Sequence, residues 1–397
     1  MEKIWICDST LRDGEQSPDA GMTYDQKIKL GQALMDLGVD VLDVGLARTS
    51  EMDAKVIYRL SQIAQNQNTI ISALARCCKE DIDMTAKVLQ PAIQCKKGRL
   101  HVFVATSQNH IEAKLRKTKP QILQMVHDSV LYAKNFTSDI QFSAEDATRS
   151  DMNFLIQCIQ TAINAGAKTI NLADTVGQMV DTQMQEFFEA ILSKLKYDKN
   201  VVFSAHCHDD KGFATSNSLF AIKGGARQVE CCMNGLGERA GNAALEEIVM
   251  AILTTPERYP YITQIDPKKI MSVSQMVSDY SGFVVAPNKA IIGKNAFLHA
   301  SGIHQDGILK ARQKGIKVMY SSIDPEILGR KDEFMITRHS GHKAIGYMLE
   351  KQKIDIIPQE AKIILEQIKN QSDHPKHFSN KELIDLYQKH IQKKKNS

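Results

Sequence analysis

The chain has 397 residues, a formal net charge of +4 and a hydrophobic fraction of 43%. The charge is nearly balanced for this length, which gives no electrostatic reason to expect a nucleic-acid or membrane partner. The proportions of apolar, charged, Gly and Pro residues exclude wholesale disorder, collagen and coiled coil. The length fits two or three ordinary domains, or one α/β barrel of about 250 residues with a smaller region attached.

The N-terminal segment lacks the apolar core of a signal peptide, and no run reaches the roughly 18 apolar residues of a membrane span. The chain has 8 cysteines and no CxxC pair. We interpret these residues as buried, reduced thiols, and we therefore expect the protein in the cytoplasm.

Short apolar or β-branched runs alternate with helical patterns up to about residue 253. The predicted strands are Ile4–Cys7, Val41–Gly45, Ile70–Ala75, Leu100–Ala105, Ile140–Ser143, Thr169–Leu172, Val201–Ala205 and Gln228–Cys232. The predicted helices include Tyr24–Leu37, Met52–Gln65, Pro120–Lys134, Asn153–Ala165, Gln183–Leu195 and Ala214–Lys223. The strand runs are continuous, as in parallel strands buried on both faces. Eight such units predict an α/β fold of the (β/α)8 TIM barrel type. The alternative is an open doubly wound sheet. Such a sheet typically has a GxGxxG motif after an early strand, and no such motif follows the first predicted strand.

The remainder of the chain predicts a smaller helical region. We place the barrel at residues 1–255, a linker around Tyr259-Pro260-Tyr261 at 256–270, and the helical C-terminal region at 271–397. The helices predicted after the barrel are Lys269–Tyr280, Lys343–Gln352, Gln359–Lys369 and Lys381–Ile391. The lysine-rich tail at 393–397 is expected to be a solvated, frayed end.

Polar residues follow five of the predicted strands, where a barrel of this type gathers its chemistry. These segments are Asp8–Gln16, Ser143–Asp146, Asp174-Thr175, His206–Asp210 and Asn234–Asn242. The glycines of the last segment either let the backbone approach a ligand closely or only shape a tight loop.

His206 and His208 are two residues apart, so both imidazoles point to one side of an extended backbone. With Asp13 from the first strand end they suit a divalent ion such as Zn2+ or Mn2+, held with positions open for a chelating substrate. Histidines with a surface or structural role are the alternative. Arg12 would stabilise negative charge on an enolate or alkoxide. Its alternative role is a salt bridge with Glu145, Asp146 or Asp174.

Two long motifs resemble a known family. The stretch Leu11–Gln16 with Lys27, and the stretch Phe203–Ala214, are similar to the two signatures of the 2-isopropylmalate synthase and homocitrate synthase group. Further stretches resemble the bacterial 2-isopropylmalate synthases, so that the resemblance covers about residues 4 to 350. It implies a TIM-barrel, metal-dependent enzyme that joins acetyl-CoA to a 2-keto acid and then hydrolyses the thioester.

The resemblance also implies roles for individual residues. The implied metal ligands, for Mn2+, Zn2+ or Mg2+, are Asp13, His206, His208 and Asn242, the last from the family alone. The implied substrate-binding residues are Arg12, His101, Ser143, Asn171 and Thr175. The implied catalytic residues are Arg12, Glu145, His304 and Tyr320. The implied cofactor-binding residues are Asn234, Gly235 and Gly237. His304, in a glycine-rich loop, and Tyr320 would complete the site of a neighbouring subunit, which implies a homodimer.

The expected reaction joins acetyl-CoA to 3-methyl-2-oxobutanoate and gives 2-isopropylmalate. Alternatives are the same chemistry on pyruvate or 2-oxoglutarate (citramalate or homocitrate synthase), a barrel lyase of related acyl-CoA substrates, and a non-catalytic paralogue. Arg48 or Arg76 would supply the extra cation that 2-oxoglutarate needs. Two departures stand out. Leu46-Ala47 replaces the aromatic residue and proline of leucine-pathway relatives. The chain also ends at Ser397 without room for a leucine-binding domain, so we expect no leucine inhibition through such a domain.

Overall fold

A computed structural model describes residues 1–370 and 377–395. Eight parallel strands form a closed barrel in sequence order, which confirms the predicted TIM-barrel class. The strands are β1 (Trp5–Asp8), β2 (Val41–Leu46), β3 (Ile70–Arg76), β4 (Gly98–Ala105), β5 (Ile140–Glu145), β6 (Thr169–Asp174), β7 (Val202–Cys207) and β8 (Gln228–Cys231). All six residues of β6 are buried, which is why its sequence lacks the alternation of a half-exposed strand.

One helix follows each strand on the outside of the barrel. The helices are α1 (Tyr24–Leu37), α2 (Glu51–Ile63), α3 (Lys79–Gln94), α4 (Lys119–Ala133), α5 (Met152–Ala165), α6 (Asp181–Leu192), α7 (Ala214–Lys223) and α8 (Leu245–Thr254). The predicted bounds of α1 and α7 are confirmed. Helix α1 begins where Thr23 and Gln26 form a capping box. The sequence patterns do not single out α3, whose last turn contains Pro91.

The segment predicted as a linker packs on the barrel. Tyr261–Ile262 forms a short parallel strand with Glu2–Lys3, and Ile265 is buried. Helix α9 (Ile270–Ser281) then packs against α1. The chain divides into two compact units between Val285 and Ala286, later than the boundary at residue 271 that the sequence suggests.

The second unit is mainly helical. Its helices are α10 (Gly302–Gln313), α11 (His342–Glu350), α12 (Pro358–Asn370) and α13 (Asn380–Lys395). Ile308, Ile345, Ile364 and Leu383 contribute one residue from each helix to its core. A pair of two-residue strands, Leu298–His299 and Glu333–Phe334, lies beside them.

Two expectations for this second unit are wrong. Residues 302–307, expected as a glycine-rich loop, form the first turns of α10, because burial of Ile308 and Ala311 outweighs the weak helix propensity of glycine. The tail at 393–397, expected to be solvated and frayed, is exposed at Lys393 and Lys394 but helical through Lys395, while Asn396 and Ser397 lie outside the described residues. Across residues 1–370 and 377–395, no helix is both long enough and apolar enough to cross a lipid bilayer.

We predict that Gly38→Ala destabilises the protein. Gly38 ends α1 with φ of 102°, and an added Cβ would lie 2.5 Å from the carbonyl oxygen of Gln264. Backbone strain of this kind costs about 1–3 kcal/mol, which should lower the midpoint of thermal unfolding measured by circular dichroism. Gly21→Ala is the control, because a Cβ there meets nothing within 4 Å. Equal midpoints for the two variants would contradict the prediction.

Candidate active site

Three potential ligands converge at the C-terminal mouth of the barrel. His206 lies in β7, and His208 follows that strand. The two Nε2 atoms are 3.1 Å apart, and they lie 3.6 Å and 4.0 Å from Asp13 Oδ2. All three side chains are buried. One carboxylate oxygen and two imidazole nitrogens thus surround a single point, in an arrangement able to hold a metal ion.

The charge states of this group suit metal binding. Burial and the neighbouring His206 lower the pKa of His208 to about 3, so its imidazole is neutral. Burial would raise the pKa of Asp13, but the Arg12 guanidinium and the two imidazoles hold it well below its ordinary value. Metal ligation requires a carboxylate and neutral imidazole, which are the forms that Asp13 and His208 take at neutral pH.

Asn242 stands on the other side of Asp13. His208 and Asn242 form an isolated antiparallel β-bridge through their backbones. The Asn242 side chain donates a hydrogen bond of 2.7 Å from Nδ2 to Asp13 Oδ1. Its Oδ1 is buried without a hydrogen-bond partner among the described residues. The amide nitrogen also donates to the carbonyl oxygen of Leu236 at 3.1 Å. Asn242 is therefore held by hydrogen bonds beside the three ligand groups, and its role as a fourth ligand stays a prediction.

Arg12 is surrounded by three carboxylates. Its Nη1 donates to Asp13 Oδ2 at 2.5 Å and its Nε donates to Asp43 Oδ2 at 2.9 Å. Its Nη2 lies 3.7 Å from Glu230 Oε2. The salt-bridge partners considered from sequence, Glu145, Asp146 and Asp174, are therefore wrong.

Sequence reasoning missed Asp43 and Glu230. Burial raises the pKa of Asp43 to about 6. Burial would also raise the pKa of Glu230, but the facing His206 imidazole, with His101 and Arg12, lowers it to about 2. Each carboxylate interrupts an apolar strand, and this was the available signal, since such groups are almost never fully buried unless paired.

A cavity of about 230 Å3 opens beside this cluster. Such a volume is smaller than the roughly 300–1,000 Å3 of typical ligand pockets. Its lining includes Arg12, Asp13, Leu74, His101, Phe103, Ser143, Glu145, Asn171, Ala173, Thr175, His206, His208 and Glu230. All five predicted substrate-binding residues line this one cavity. Two of the predicted catalytic residues, Arg12 and Glu145, and three of the predicted metal ligands, Asp13, His206 and His208, line it as well.

His101 lies among hydrogen-bonding side chains in the cavity lining. Its Nε2 lies 2.5 Å from Ser143 Oγ, and Asn171 Nδ2 donates to the same oxygen at 2.9 Å. Burial lowers the pKa of His101 to about 3, so the ring is neutral. Asn171 Oδ1 is buried without a hydrogen-bond partner in the described part of the chain. These groups offer hydrogen bonds to a small polar ligand.

Comparison with known proteins identifies the family. A family model described as HMGL-like matches residues 3–277, and one described as homocitrate synthase post-HMGL domain-like matches residues 291–376. The 2-isopropylmalate synthase of Aquifex aeolicus is 41% identical over 96% of this chain and 72% of that protein. The chain belongs to the 2-isopropylmalate synthase family. The corresponding enzyme of Staphylococcus epidermidis is also 41% identical, over 96% of this chain and 73% of its own length.

Solved structures show the same barrel at lower identity. An HMG-CoA lyase from Acenitobacter baumannii matches with a TM-score of 0.57 and 20% identity, over 70% of this chain and 92% of that one. The HMG-CoA lyase of Pseudomonas aeruginosa has a TM-score of 0.58 at 19% identity, over 72% and 95%. These likenesses concern the fold alone.

In this synthase-family chain, Glu145 lies at the end of β5 beside a π-helical turn, His110–Leu115. Lys114 Nζ donates to Glu145 Oε1 at 2.6 Å, and His110 Nδ1 lies 3.2 Å from the same oxygen. Thr175 Oγ1 accepts a hydrogen bond of 2.9 Å from the backbone N–H of Asp146. Two basic groups therefore face one oxygen of the Glu145 carboxylate.

Asn234, Gly235 and Gly237 are not among the residues that line the cavity. The backbone N–H of Asn234 donates to Glu246 and its side-chain amide donates to the carbonyl of Ser274. A Cβ at Gly237 would lie 2.1 Å from the Asn242 amide nitrogen. This loop therefore positions Asn242, and Gly237 leaves the room that the amide needs.

His304 and Tyr320 lie in the second unit. Their rings stack with centroids 4.1 Å apart and planes within 15° of parallel. Gly307, one turn along α10, lets the tyrosine ring pack closely, since a Cβ there would lie 2.6 Å from Tyr320 Cε2. His304 is exposed, as is Tyr320 at 39%. The two residues that the family resemblance groups together are thus neighbours.

The two arginines considered for a second substrate carboxylate are both paired with Asp81. Arg76 donates to it through Nε at 2.6 Å and Nη2 at 3.0 Å, and Arg48 Nε lies 3.5 Å away. Neither arginine lines the cavity. Neither of these two arginines is therefore placed to bind the distal carboxylate of 2-oxoglutarate. The Leu46-Ala47 pair at the end of β2 likewise does not line it.

Asp8 links the loop after β1 to the loop after β8. Its carboxylate accepts hydrogen bonds from the N–H and hydroxyl of Thr10 at 2.9 Å and 2.8 Å. Thr10 Oγ1 in turn accepts from the N–H of Met233 at 2.9 Å. Burial raises the pKa of Asp8 to about 7.

We predict a pH-dependent stabilisation by Asp8→Asn. The folded chain binds the Asp8 proton more tightly than the unfolded chain, so the wild type loses stability through this group as pH rises from about 4 to about 7. The free energy of unfolding of the variant minus that of the wild type should rise across this window by up to about 1.4 kcal/mol per pH unit. Urea unfolding at several pH values measures this difference.

The control for this experiment is Asp128→Asn. Asp128 is exposed and its neighbours His127 and Gln124 lower its pKa, so no rise is expected across the same window. If the free energies of unfolding of Asp8→Asn and the wild type change equally with pH across this window, the pKa of Asp8 is not raised in the folded protein.

Proposed function

We propose that this chain condenses acetyl-CoA with 3-methyl-2-oxobutanoate and hydrolyses the thioester to give 2-isopropylmalate and CoA. The observation that carries the proposal is the convergence of Asp13, His206 and His208 beside Arg12 at the mouth of the barrel. Membership of the 2-isopropylmalate synthase family gives the reaction class, an acyl transfer in which the acyl group becomes an alkyl group. We place the protein in the cytoplasm, in keeping with its free cysteines.

The charge balance of the site supports a divalent metal. Asp13, Asp43 and Glu230 are buried carboxylates, and Arg12 is the guanidinium that all three approach. One positive and three negative charges leave two uncompensated negative charges in a buried site, which is costly without a counter-ion. A divalent cation at the His206/His208 pair would neutralise them.

We assign the metal to Asp13, His206, His208 and the amide oxygen of Asn242. Imidazole and oxygen donors of this kind accept Zn2+ or Mn2+, and Mg2+ with weaker preference. When bound, the ion supplies Lewis acidity, which polarises the ketone of a chelating 2-keto acid.

The chain's own residues supply the rest of the proposed mechanism. His101, Ser143, Asn171 and Thr175 would orient the keto acid in the cavity by hydrogen bonds, which holds the reacting carbons together. Arg12 would stabilise the negative charge that develops on the ketone oxygen.

Glu145 would take the proton from the methyl group of acetyl-CoA, a weak carbon acid that needs a positioned base. Lys114 and His110 both face its Oε1, so we assign proton transfer to Oε2. The apolar side chains of Leu74, Phe103 and Ala173 in the lining would receive the branched side chain of the keto acid.

We also propose that the enzyme is a homodimer in which His304 and Tyr320 complete the partner's active site. The exposed side of their stacked ring pair is available to another molecule. The second unit would then have its catalytic role in trans.

We predict that a keto acid panel ranks 3-methyl-2-oxobutanoate first. Release of CoA thiol from acetyl-CoA is measured with this acid, pyruvate and 2-oxoglutarate, each with and without a chelator. The branched acid should react fastest because the cavity has an apolar wall and its one lysine among the described lining residues, Lys114, is already paired with Glu145. Chelator should abolish the activity, and added Mn2+ or Zn2+ should restore it.

A rate with pyruvate or 2-oxoglutarate that exceeds the branched acid tenfold would overturn the proposed substrate. Full activity in the presence of chelator, with metal content near zero, would overturn the proposed metal site. The Arg76→Ala variant is the matched control, since its loss should not change the ranking.

We predict that mixing two inactive variants restores activity. In His304→Ala and Glu145→Gln homodimers every site lacks one residue, whereas a mixed dimer has one site with both residues if His304 acts in trans. Statistical exchange of subunits should then recover up to about a quarter of wild-type activity. Thiol release is measured after co-refolding or co-expression. No recovery, with mixed dimers demonstrated by differently tagged subunits, would place His304 in its own chain's site.

A further inference from the structure

We propose that Glu230 is a positioning residue that fixes the orientation of His206 and of Arg12. This inference rests on the proposed function, because it concerns the metal site assigned there. Glu230 lies in β8 within the barrel and is 1% exposed. Glu230 and Asp13 have different roles, because Asp13 lies beside Nε2 of the His206 ring and Glu230 lies beside Nδ1 on its other side.

The contacts of Glu230 connect two functional groups. Its Oε2 lies 3.1 Å from His206 Nδ1 and 3.7 Å from Arg12 Nη2. The other ring nitrogen, His206 Nε2, faces Asp13 and His208. His206 Nδ1 makes no hydrogen bond among the described residues, so it is the negative charge of Glu230, 3.1 Å away, that favours the tautomer with its proton on Nδ1. The lone pair of Nε2 is then directed into the ligand cluster, which is how outer carboxylates orient ligating histidines.

The barrel interior holds Glu230 in place. Gln141 Nε2 donates to Glu230 Oε1 at 2.5 Å. Gln141 Oε1 accepts hydrogen bonds of 3.1 Å from both Arg99 and Gln228, and Arg99 is in turn paired with Asp139. Residues from three strands therefore fix the carboxylate, so that it cannot swing away from His206 without disrupting this network.

The two imidazoles differ in this respect. The described residues place no carboxylate within 4 Å of His208 Nδ1, whereas His208 Nε2 approaches Asp13. Glu230 thus orients His206 but not His208. It also acts on Arg12, through the contact with Nη2. Its removal should change both metal affinity and the stabilisation of the oxyanion.

The test is the affinity of the Glu230→Gln variant for Zn2+ alone, measured by competition with a chromogenic chelator. The substitution keeps the shape of the side chain and removes its charge. We expect the dissociation constant for Zn2+ to rise at least tenfold, within the roughly 10–100-fold range of outer-residue changes at metal sites. We expect kcat to fall as well, because Arg12 loses one of its carboxylate neighbours.

Asp40→Asn is the matched control. Asp40 is another buried carboxylate, which accepts a hydrogen bond from the N–H of Ile6 and pairs with Lys3. Its substitution also removes a buried charge but leaves the ligand cluster untouched. Its Zn2+ affinity should stay within about twofold of the wild type. Equal affinity in Glu230→Gln and the wild type would overturn the positioning role, while the metal site would stand.

Failure of the wild type itself to bind Zn2+ would overturn the proposed metal site and this inference with it. If Glu230→Gln does not fold, the wild type provides the decisive measurement. In 15N-histidine-labelled protein loaded with Zn2+, His206 should carry its proton on Nδ1 and bind through Nε2. A His206 with Nδ1 unprotonated would overturn the inference.

Discussion

The pairing of one guanidinium with three buried carboxylates is the constraint on which the mouth of the barrel depends. Arg12 contacts Asp13 and Asp43 and lies near Glu230. Loss of one partner from such a group leaves a buried charge without compensation, which costs several kcal/mol. The proposed divalent cation would offset the two negative charges that Arg12 leaves uncompensated. The ligand cluster and the arginine are therefore one electrostatic unit.

Barrel closure assembles this unit from residues far apart in the chain. Strand β1 pairs with β8, and the register places Cys7 opposite Glu230. That pairing brings the loop after β1, which carries Arg12 and Asp13, next to the last strand. Asp8 and Thr10 then bind the loop to the segment after β8. An open sheet would leave these two edges apart, so the closed topology is a requirement of the site as well as of stability.

The sequence predicted those features that lie in continuous patterns or at strand ends. The eight apolar runs predicted the barrel. The position of His206 and His208 at a strand end predicted them as a pair of candidate metal ligands. Asp43 and Glu230 were missed because parallel strands buried on both faces show no alternation that separates the barrel interior from its helix-facing side. The partners of Arg12 could not be predicted for the same reason. Helix α10 was missed because local glycine content points to a loop, and only tertiary burial of its apolar face decides otherwise.

The second unit presents a different kind of surface from the enclosed cluster of the barrel. Ile303 is 77% exposed and Met319 is 51% exposed, and both adjoin the stacked rings of His304 and Tyr320 in sequence. In the proposed homodimer, these exposed apolar side chains would contact the partner subunit. A histidine held against a tyrosine ring on such a surface is oriented before any partner arrives, which reduces the entropy lost on association. The charged cluster is thus buried in the barrel while the ring pair of the second unit is exposed, as the proposed sharing of active sites between two subunits requires.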